Sequence, residues 1–456
     1  MNEICLLKND KYQNYNDCKR FINKVMQIVK NNDYSCYHDL SNQMIVIKPN
    51  WIQESHEENK EIWEPVITHP VLVISVIECL AELMNGKGTI TICDAPHTYA
   101  NFEAILARGG FKNEFEQLRS KWPDMNFELI DLRKEVWIRK EKVIVKRIKK
   151  HGDKRGNIVF NLRNESLFYK YPGEGRYYGA DYNTRNVNNH HHDDTHEYLI
   201  SATPIQCDLF INLPKLKTHK KTGITCSLKN LVGINADKNW LPHYTEGSPE
   251  FGGDEFPENA VRSKLESSLK KYFRKNIYQI PGIGPFLYRK ARSMGIGFFG
   301  NSDETIRNGN WNGNDTCWRM VLDLNRIILY GNPDGSMRDS IHPKKYLTIV
   351  DGIVGGEGNG PLCPDSVQSN FLLAGTNPAE VDAVACCLMG LQPDKIPVVR
   401  EAFKTHKWPI TNTSIDAINV YDEREKKIIN IHEIKPAVKG GFKPHYGWKN
   451  IVEENV

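Results

Sequence analysis

Four short apolar segments of this chain stop abruptly at polar residues, and this repeated pattern constrains the fold more than any other feature. The segments are residues 44–50, 89–94, 208–213 and 346–351. Each is rich in β-branched or aromatic residues and is bounded by a chain-breaking residue, which is typical of strands buried on both faces. The pattern predicts four strands of one sheet, with polar side chains at the strand ends.

Helical patterns lie between these strands. Apolar residues recur at helical spacing over residues 71–84, with Thr68 as the candidate N-cap. A second helix is expected to begin at Asn377 and Pro378 and to end at Gly390, because an N-cap followed by proline is a common helix start. Strands that alternate with helices predict an α/β fold, with a largely parallel sheet flanked by helices.

A long segment interrupts this predicted core. We expect the first part of the α/β core over residues 1–235, a basic and mostly helical or irregular insertion over 236–340, and the second part of the core over 341–456. Within the insertion, residues 261–300 hold nine Lys or Arg and one Glu. Such a segment either contacts an anionic membrane surface or packs an apolar side on the core.

Composition argues against several classes of protein. A net charge of +4 over 456 residues gives no case for nucleic acid. The eleven cysteines contain no CxxC pair and form no disulfide framework, so we expect a reducing compartment and no iron–sulfur cluster. Because no stretch reaches the ~20 apolar residues of a membrane span, and the N-terminus has no apolar signal-peptide core, a cytoplasmic protein is expected.

The densest chemistry lies in residues 213–233, which carry six Lys or His side chains among small hydroxyl residues and glycines. Ligands of open α/β sheets sit outside the carboxyl ends of the strands, and ammonium groups with free backbone N–H groups bind anions there. The predicted substrate-binding residues are Lys48, Asn50, Lys215, Lys217, Thr225 and Asn230. A solvated surface loop remains the alternative, above all for Lys220 and Lys221.

Acidic side chains accompany a glycine-rich turn predicted after the last strand, over residues 351–361. Asp351, Glu357 and Asp382 are expected to gather near Asp94. Grouped carboxylates either hold a hard cation such as Mg²⁺ or shift one another's pKa for proton transfer. The alternative is that Asp351 and Asp382 cap turns and helix ends.

Five blocks of the sequence resemble the family known as domain of unknown function 362. The blocks are residues 47–50, 208–219, 225–233, 351–361 and 377–383. The resemblance implies the fold more than an activity. Many members of that family add a four-cysteine iron–sulfur module, and this sequence lacks those cysteines.

Residues 223–229 are similar to a short motif of the lactate racemase family. That resemblance implies Lys229 as the attachment point of a nickel-pincer nucleotide. It also favours His219 and Lys229 for proton transfer or cofactor attachment. With Asp94, these two form the predicted catalytic set.

Two further segments attract attention. Histidines and aspartates crowd residues 190–196, where a metal site would need two or three of them plus ligands from elsewhere. The turn-rich residues 240–255 combine aromatics, His243 and acids, a composition that suits either a loop over a polar ligand or a packed irregular loop.

The sequence therefore predicts an enzyme that acts on a carboxylate- or phosphate-bearing small molecule, by acid/base chemistry such as isomerisation or group transfer, with a divalent metal assisting. The alternative is a non-catalytic anion-binding or membrane-peripheral assembly protein. The two hypotheses differ in one respect: catalysis needs a perturbed acid–base pair inside a closed cleft.

Overall fold

The computed structural model describes most of the chain. The described residues are 4–8, 12, 15–31, 40–140, 143–179, 184–258, 268–269, 272, 287, 290, 306–338, 343–423 and 425–453. Most of residues 261–300, the basic segment for which membrane contact and packing on the core are the two alternatives, lies outside them.

Eighteen strands are found in the described residues. They are β1 (Ile4–Lys8), β2 (Met44–Pro49), β3 (Gly88–Asp94), β4 (Met125–Asp131), β5 (Glu135–Lys140), β6 (Val143–Lys149), β7 (Asn157–Asn161), β8 (Tyr177–Tyr178), β9 (His191–His192), β10 (Thr195–Ser201), β11 (Leu209–Leu213), β12 (Lys215–His219), β13 (Gly223–Thr225), β14 (Tyr244–Thr245), β15 (Tyr346–Asn359), β16 (Cys363–Gly375), β17 (Asn419–Asp422) and β18 (Lys427–Asn430).

Ten α-helices accompany these strands in the described part of the chain. They are α1 (Tyr15–Asn31), α2 (Pro70–Leu83), α3 (Phe102–Ala107), α4 (Phe111–Lys121), α5 (Thr184–Asn189), α6 (Ala202–Gln206), α7 (Ser227–Asn230), α8 (Cys317–Tyr330), α9 (Pro378–Leu388) and α10 (Pro397–Arg400). Asn377 caps α9 as predicted, whereas the N-cap of α2 is His69 and not Thr68.

One large mixed sheet organises the molecule. Its strands run in the order β18-β17-β1-β16-β15-β11-β2-β3-β4, and β12 pairs with β15 and with β13 beside this path. The central run from β15 through β11, β2 and β3 to β4 is parallel throughout. The four predicted strands all lie in this run, so the predicted α/β fold with a largely parallel sheet is confirmed.

Side-chain alternation divides the core into two layers. Ile45 and Ile47 of β2 pack in one cluster with residues of α1, α2 and α4, while Val46 packs in the other with residues of α8 and α9. Successive strand residues face opposite sides, so a strand that is apolar at every position is covered by helices on both faces. The sheet is thereby covered by helices on both faces.

The glycine-rich segment is not the turn that the sequence predicts. β15 continues past Asp351 to Asn359 and pairs with β16 along its whole length, with a register irregularity between Gly352 and Val354. Glycines without side chains let neighbours approach closely here: a Cβ on Gly356 would lie 2.9 Å from the Cβ of Lys217. The glycines therefore serve strand packing at this position rather than a loop.

Part of the predicted insertion belongs to the core. α8 is buried over nearly its whole length and packs in the same cluster as α9. None of the described helices is long and apolar enough to cross a membrane.

Candidate functional site

A cavity of 360 Å³ opens at the carboxyl ends of β2, β3 and the β11–β12 junction. The backbone joins these ends directly, because the Asn50 amide donates to the Leu213 carbonyl at 3.1 Å. Eight of the sequence-predicted site residues line this cavity: Lys48, Asn50, Asp94, Lys217, His219, Thr225, Lys229 and Asn230. Segments that are distant in sequence thus meet in one place, as expected for the switch region of an open α/β sheet.

Lys48 and Asp94 form a buried ion pair on the cavity wall. Lys48 Nζ lies 2.7 Å from Asp94 Oδ1, and both side chains are almost fully buried. The ammonium also donates to the Pro49 carbonyl, and Asp94 Oδ2 accepts from the Trp51 amide at 2.8 Å. Gly233 lies against this pair, where a Cβ would come within 2.1 Å of Asp94 Oδ1. Asp94 is therefore committed to Lys48 and is not a free base.

Three asparagines hold the strand ends in register. Asn50 Nδ2 donates to Asn230 Oδ1 at 2.8 Å, and Asn230 Nδ2 donates to Asn212 Oδ1 at 2.6 Å. Asn50 Oδ1 and Thr225 Oγ1 also line the cavity and are buried without a hydrogen-bond partner among the described residues. Buried polar atoms are rarely left unpaired, so these two are candidates for contact with a ligand.

Two lysines on the cavity wall have no carboxylate partner in the described part of the chain. Lys217 Nζ donates only to the Val66 carbonyl, at 2.5 Å. The Lys229 side chain has no hydrogen bond or ion pair with any described residue. Burial lowers the pKa of Lys217 well below its ordinary value, and the nearby Lys215 adds to that effect. Burial also lowers the pKa of Lys229.

The cavity as a whole is strongly cationic. Its lining includes Lys220, Lys221, Lys238 and Arg139 besides the lysines named above, and Asp94 is the sole carboxylate among its described lining residues. Lys221 is not a solvated surface lysine, since its ammonium donates to the Asn308 carbonyl and lies 4.8 Å from the centre of the Tyr244 ring. Burial lowers the pKa of Lys221 to about 8. Excess positive charge in a partly closed cavity attracts anions.

Two neutral histidines on the cavity wall have opposite tautomers. His219 Nδ1 accepts from the backbone amides of Lys221 and Thr222 at 3.0 and 3.3 Å, so its proton is on Nε2. His243 Nδ1 lies 2.9 Å from the Leu241 carbonyl and must donate to it, which leaves a lone pair on Nε2. Burial lowers the pKa of both histidines well below the ordinary histidine value, and the positive charge of Lys229 is the next largest cause. His219 and His243 therefore provide the cavity with an imidazole donor and an imidazole acceptor, respectively.

The predicted anion-binding residue Lys215 lies elsewhere. Lys215 Nζ contacts Asp351 Oδ2 at 2.8 Å and donates to Tyr12 Oη at 2.7 Å and to the Val354 carbonyl at 3.0 Å. The Tyr12 hydroxyl donates in turn to Asp351 Oδ1 at 2.6 Å, and the His69 amide donates to Asp351 Oδ2. This closed network fills the core between β12 and β15, and Lys215 does not line the cavity.

The three carboxylates predicted to hold a metal are not brought together. Asp351 is committed to Lys215. Glu357 accepts from the Lys443 amide at 2.8 Å, and Asp382 accepts from the Ser227 and Leu228 amides, which start α7. Burial raises the pKa of Asp382 to about 6. The alternative that Asp382 caps a helix end matches these contacts, and among the described residues no three His, Cys, Asp or Glu side chains are placed to hold a metal ion.

The histidine-rich segment at 190–196 is built into the fold. His190 Nδ1 lies 2.8 Å from Glu197 Oε2 while its ring stacks on Trp240, and His191 Nε2 donates to the Trp240 carbonyl. These contacts hold the segment against the loop that carries His243. The segment thus positions a cavity wall, and it is not among the cavity-lining residues.

Comparison with known proteins settles the family. The model of a domain of unknown function, DUF362, matches residues 45–153 and 166–387. The chain belongs to the DUF362 family. The family predicted from the five sequence blocks is confirmed by this match, which covers every cavity-lining residue named above.

Two solved structures are similar to this DUF362 chain, both at 8% identity. The match with a protein from Thermotoga maritima covers 79% of this chain and 56% of that protein's chain, with a TM-score of 0.30. The match with the lactate racemase apoprotein from Thermoanaerobacterium thermosaccharolyticum covers 85% of this chain and 57% of that protein's chain, with a TM-score of 0.32. This chain therefore spans little more than half the length of either, and likeness at this level says nothing about activity. No curated protein matches the sequence.

Several cavity residues of this DUF362 chain were not predicted as site residues. His243 belongs to a loop that the sequence marks as suited to a polar ligand, but its tautomer depends on a carbonyl two residues away. Three more residues line the cavity: His97 and Tyr99 follow the end of β3, and Arg139 lies on β5. The Arg139 guanidinium stacks on the Tyr99 ring, 3.0 Å from its centre. For His97, the available signal was its position three residues after Asp94, just beyond the end of a strand.

Proposed function

We propose that this protein is an enzyme that acts on a small molecule bearing a carboxylate or phosphate group, and that it moves a proton on that molecule. The observation that carries the proposal is the cavity, where six lysines and Arg139 surround a single carboxylate among the described lining residues. Asp94 already neutralises Lys48, and Arg139 is paired with Glu57, which does not line the cavity. Lys217 and Lys229 have no carboxylate partner among the described residues.

Lys217 and Lys229 are the proposed anion ligands. A buried ammonium is costly unless it is paired, so the lowered pKa of each lysine measures how poorly the empty cavity stabilises its charge. A bound phosphate or carboxylate supplies the missing negative charge and raises the pKa of both lysines toward the ordinary value. Asn50 Oδ1 and Thr225 Oγ1 are then available to a hydroxyl of the same ligand.

His243 and His219 are the proposed acid/base pair. An imidazole with a free lone pair accepts a proton from the substrate, and an imidazole N–H donates a hydrogen bond to the oxygen on which negative charge develops. Their fixed backbone partners keep these roles from exchanging in the resting protein. Proton abstraction from the carbon beside a carbonyl or carboxylate, followed by return of a proton to the opposite face of that carbon or to another atom of the molecule, is an isomerisation.

The burial of these groups favours an enzyme over a non-catalytic anion-binding protein. His219, Lys217 and Lys229 are each less than a tenth exposed. A scaffold that only neutralises an anion gains nothing from desolvated histidines of fixed tautomer. The proposal includes no step through a metal ion, because the carboxylates predicted to bind one have other partners.

The experiment has two stages. The purified protein is denatured, and the released small molecules are identified by mass. Lys217→Met with Lys229→Met is expected to abolish retention of an anionic molecule, while Lys112→Met, an exposed lysine paired with Glu103, is expected to leave retention unchanged. Equal retention in both variants would contradict the proposed binding site.

The second stage tests catalysis. The retained molecule, or an analogue of its class, is incubated with the protein in D₂O, and deuterium incorporation at carbon is measured. We expect incorporation with the unmodified protein and a loss of about a hundredfold or more in His243→Asn, in line with removal of a general base. His432→Asn, at an exposed histidine paired with Asp416, is the matched control. Retention without any exchange would leave a binding protein and refute the enzyme.

A further inference from the structure

The hairpin of β5 and β6 stands apart from the large sheet. Its two strands pair only with each other among the described strands. The hairpin is fastened to the body along one side, where the Trp137 amide donates to the Thr98 carbonyl at 2.8 Å and Arg139 lies 3.3 Å from Glu57.

The two faces of the hairpin differ. On the inner face, Trp137 and Ile144 are buried and line the cavity together with Arg139. On the outer side, Ile138, Val145 and Ile148 are 42%, 46% and 37% exposed. Ile138 pairs with Lys146, and the register irregularity that follows releases Val145 outward. Three large aliphatic side chains therefore reach solvent from one short hairpin.

Basic residues share the hairpin with these aliphatic side chains. Residues 135–150 contain seven Lys or Arg and two Glu. Lys146, which lies opposite Ile138, is exposed, and so are Lys149 and Lys150. Arg147 is also exposed but lies opposite Trp137, with its guanidinium 4.5 Å from the centre of that ring. Lysine and arginine stems lie along apolar surface while their charges remain in water, which suits the boundary between acyl chains and headgroups.

We propose that the outer side of this hairpin docks on an anionic phospholipid membrane surface. The aliphatic side chains enter the headgroup boundary, and the basic residues contact negatively charged headgroups. A membrane fits better than a protein partner because the surface combines exposed aliphatic side chains with exposed lysines, while the one aromatic residue of 135–150, Trp137, is buried on the inner face. This inference does not depend on the proposed reaction.

A second basic segment of the chain also carries exposed apolar side chains. Of the eleven exposed large hydrophobic side chains among the described residues, three lie on the hairpin and three more lie in the basic stretch 261–300. The latter are Leu269, Tyr272 and Leu287. The hairpin and residues 261–300 thus both combine exposed apolar residues with a local excess of positive charge, and segments of this composition bind anionic bilayers.

Sedimentation with lipid vesicles tests the proposal. We expect the full chain to bind vesicles of phosphatidylcholine mixed with phosphatidylserine and not vesicles of phosphatidylcholine alone. The triple variant Ile138→Ser, Val145→Ser, Ile148→Ser is expected to bind at least about tenfold more weakly, because each aliphatic side chain that enters the membrane contributes to the free energy of binding. Ile428→Ser, at an isoleucine that is 64% exposed on β18, is the matched control and should bind as before.

The outcomes are separable from a folding defect. Thermal unfolding of the triple variant should match that of the unmodified protein, because its three changed side chains are solvent-exposed. Independently, Val145→Trp should show fluorescence quenching by brominated phosphatidylserine vesicles. Absence of binding to every vesicle, unchanged binding of the triple variant, or self-association that the triple variant abolishes would each overturn the proposal.

Discussion

Lys215 and Lys217 lie two residues apart on β12, and the molecule uses them in opposite ways. Lys215 is fully buried with Asp351, the Tyr12 hydroxyl and the Val354 carbonyl around its ammonium. Lys217 is equally buried, yet its ammonium meets one carbonyl and no described carboxylate. A register irregularity in the pairing of β12 with β15 separates the two positions. One lysine closes the core, and the other faces a cavity.

The difference shows how to distinguish a structural charge from a functional one. Buried ionic groups that are fully paired hold elements together, and removal of either partner leaves an uncompensated charge. A buried ammonium without a counterion destabilises the folded protein and is retained where a ligand provides that counterion.

Replacement of Asp351 by Ala should have the largest effect. It leaves the Lys215 ammonium buried without a counterion and removes an acceptor from Tyr12 and from the His69 amide. We expect the free energy of unfolding to fall by about 3–5 kcal/mol, measured by urea denaturation. A loss below about 1 kcal/mol would mean that the network is not closed in solution.

Gly233→Ala should separate the second buried ion pair. The added Cβ would lie 2.1 Å from Asp94 Oδ1 and 2.6 Å from Lys48 Nζ, so one partner or the backbone must move. Overpacking of this kind typically costs about 1–3 kcal/mol of unfolding free energy. Gly440→Ala, where nothing lies within 4 Å of the added Cβ, controls for the loss of glycine, although its φ of +80° adds strain of its own. A Gly233→Ala protein as stable as the parent would contradict the close packing.

Lys217→Met should act in the opposite direction from Asp351→Ala. It removes an uncompensated buried charge while the apolar stem is kept, at the cost of one hydrogen bond to Val66. We expect the unfolding free energy to rise by about 1 kcal/mol. Affinity for phosphate should fall by roughly tenfold or more, as for loss of a charge-assisted hydrogen bond. Thermal unfolding and calorimetric titration check both, and destabilisation with unchanged affinity would reverse the assigned roles.

The lysines of the cavity wall should contribute unfolding free energy that rises with pH above 8 in the ligand-free protein. The pKa of Lys221 is about 8 in the folded chain and near 10.5 when unfolded, so between these values the unfolded state binds more protons at this group, and the lowered pKa of Lys217 and Lys229 acts in the same direction. Buried thiols such as Cys226 and Cys386, whose pKa burial raises, contribute with the opposite sign, so the lysine contribution is measured as a difference. A saturating anion removes the lysine contribution, and the stabilisation that it provides should therefore shrink from pH 8 toward pH 10.5. A stabilisation by the anion that does not change over this range would contradict the prediction.

Much of the fold was predictable because buried parallel strands have a strong sequence signature. Apolar runs such as Ile45–Ile47 and their polar ends identify the central strands, and parallel strands place their carboxyl ends together. That geometry brings Lys48, Asp94 and His219 to one cavity without any knowledge of side-chain contacts.

The remainder depends on tertiary contacts that a sequence does not display. Lys215 and Lys217 are alike in sequence, and only the position of Asp351 and of Tyr12 distinguishes them. The glycines of β15 predict a turn, but pairing with β16 extends them into a strand. From the sequence alone Asp382 is a candidate metal ligand, and only the fold shows that it accepts hydrogen bonds from the amides at the start of α7. The functions assigned to the cavity residues stay predictions.

Proton uptake on anion binding reports whether Lys217 and Lys229 receive their missing counterion from a ligand. Inorganic phosphate is titrated into the protein above pH 8 by calorimetry in buffers of different ionisation enthalpy, and the number of protons taken up per bound anion is obtained. We predict net uptake, because an anion beside Lys217 and Lys229 raises the pKa of these ammonium groups, and we predict its loss in the Lys217→Met, Lys229→Met protein. Binding without proton uptake, or with equal uptake in that variant, would contradict the account.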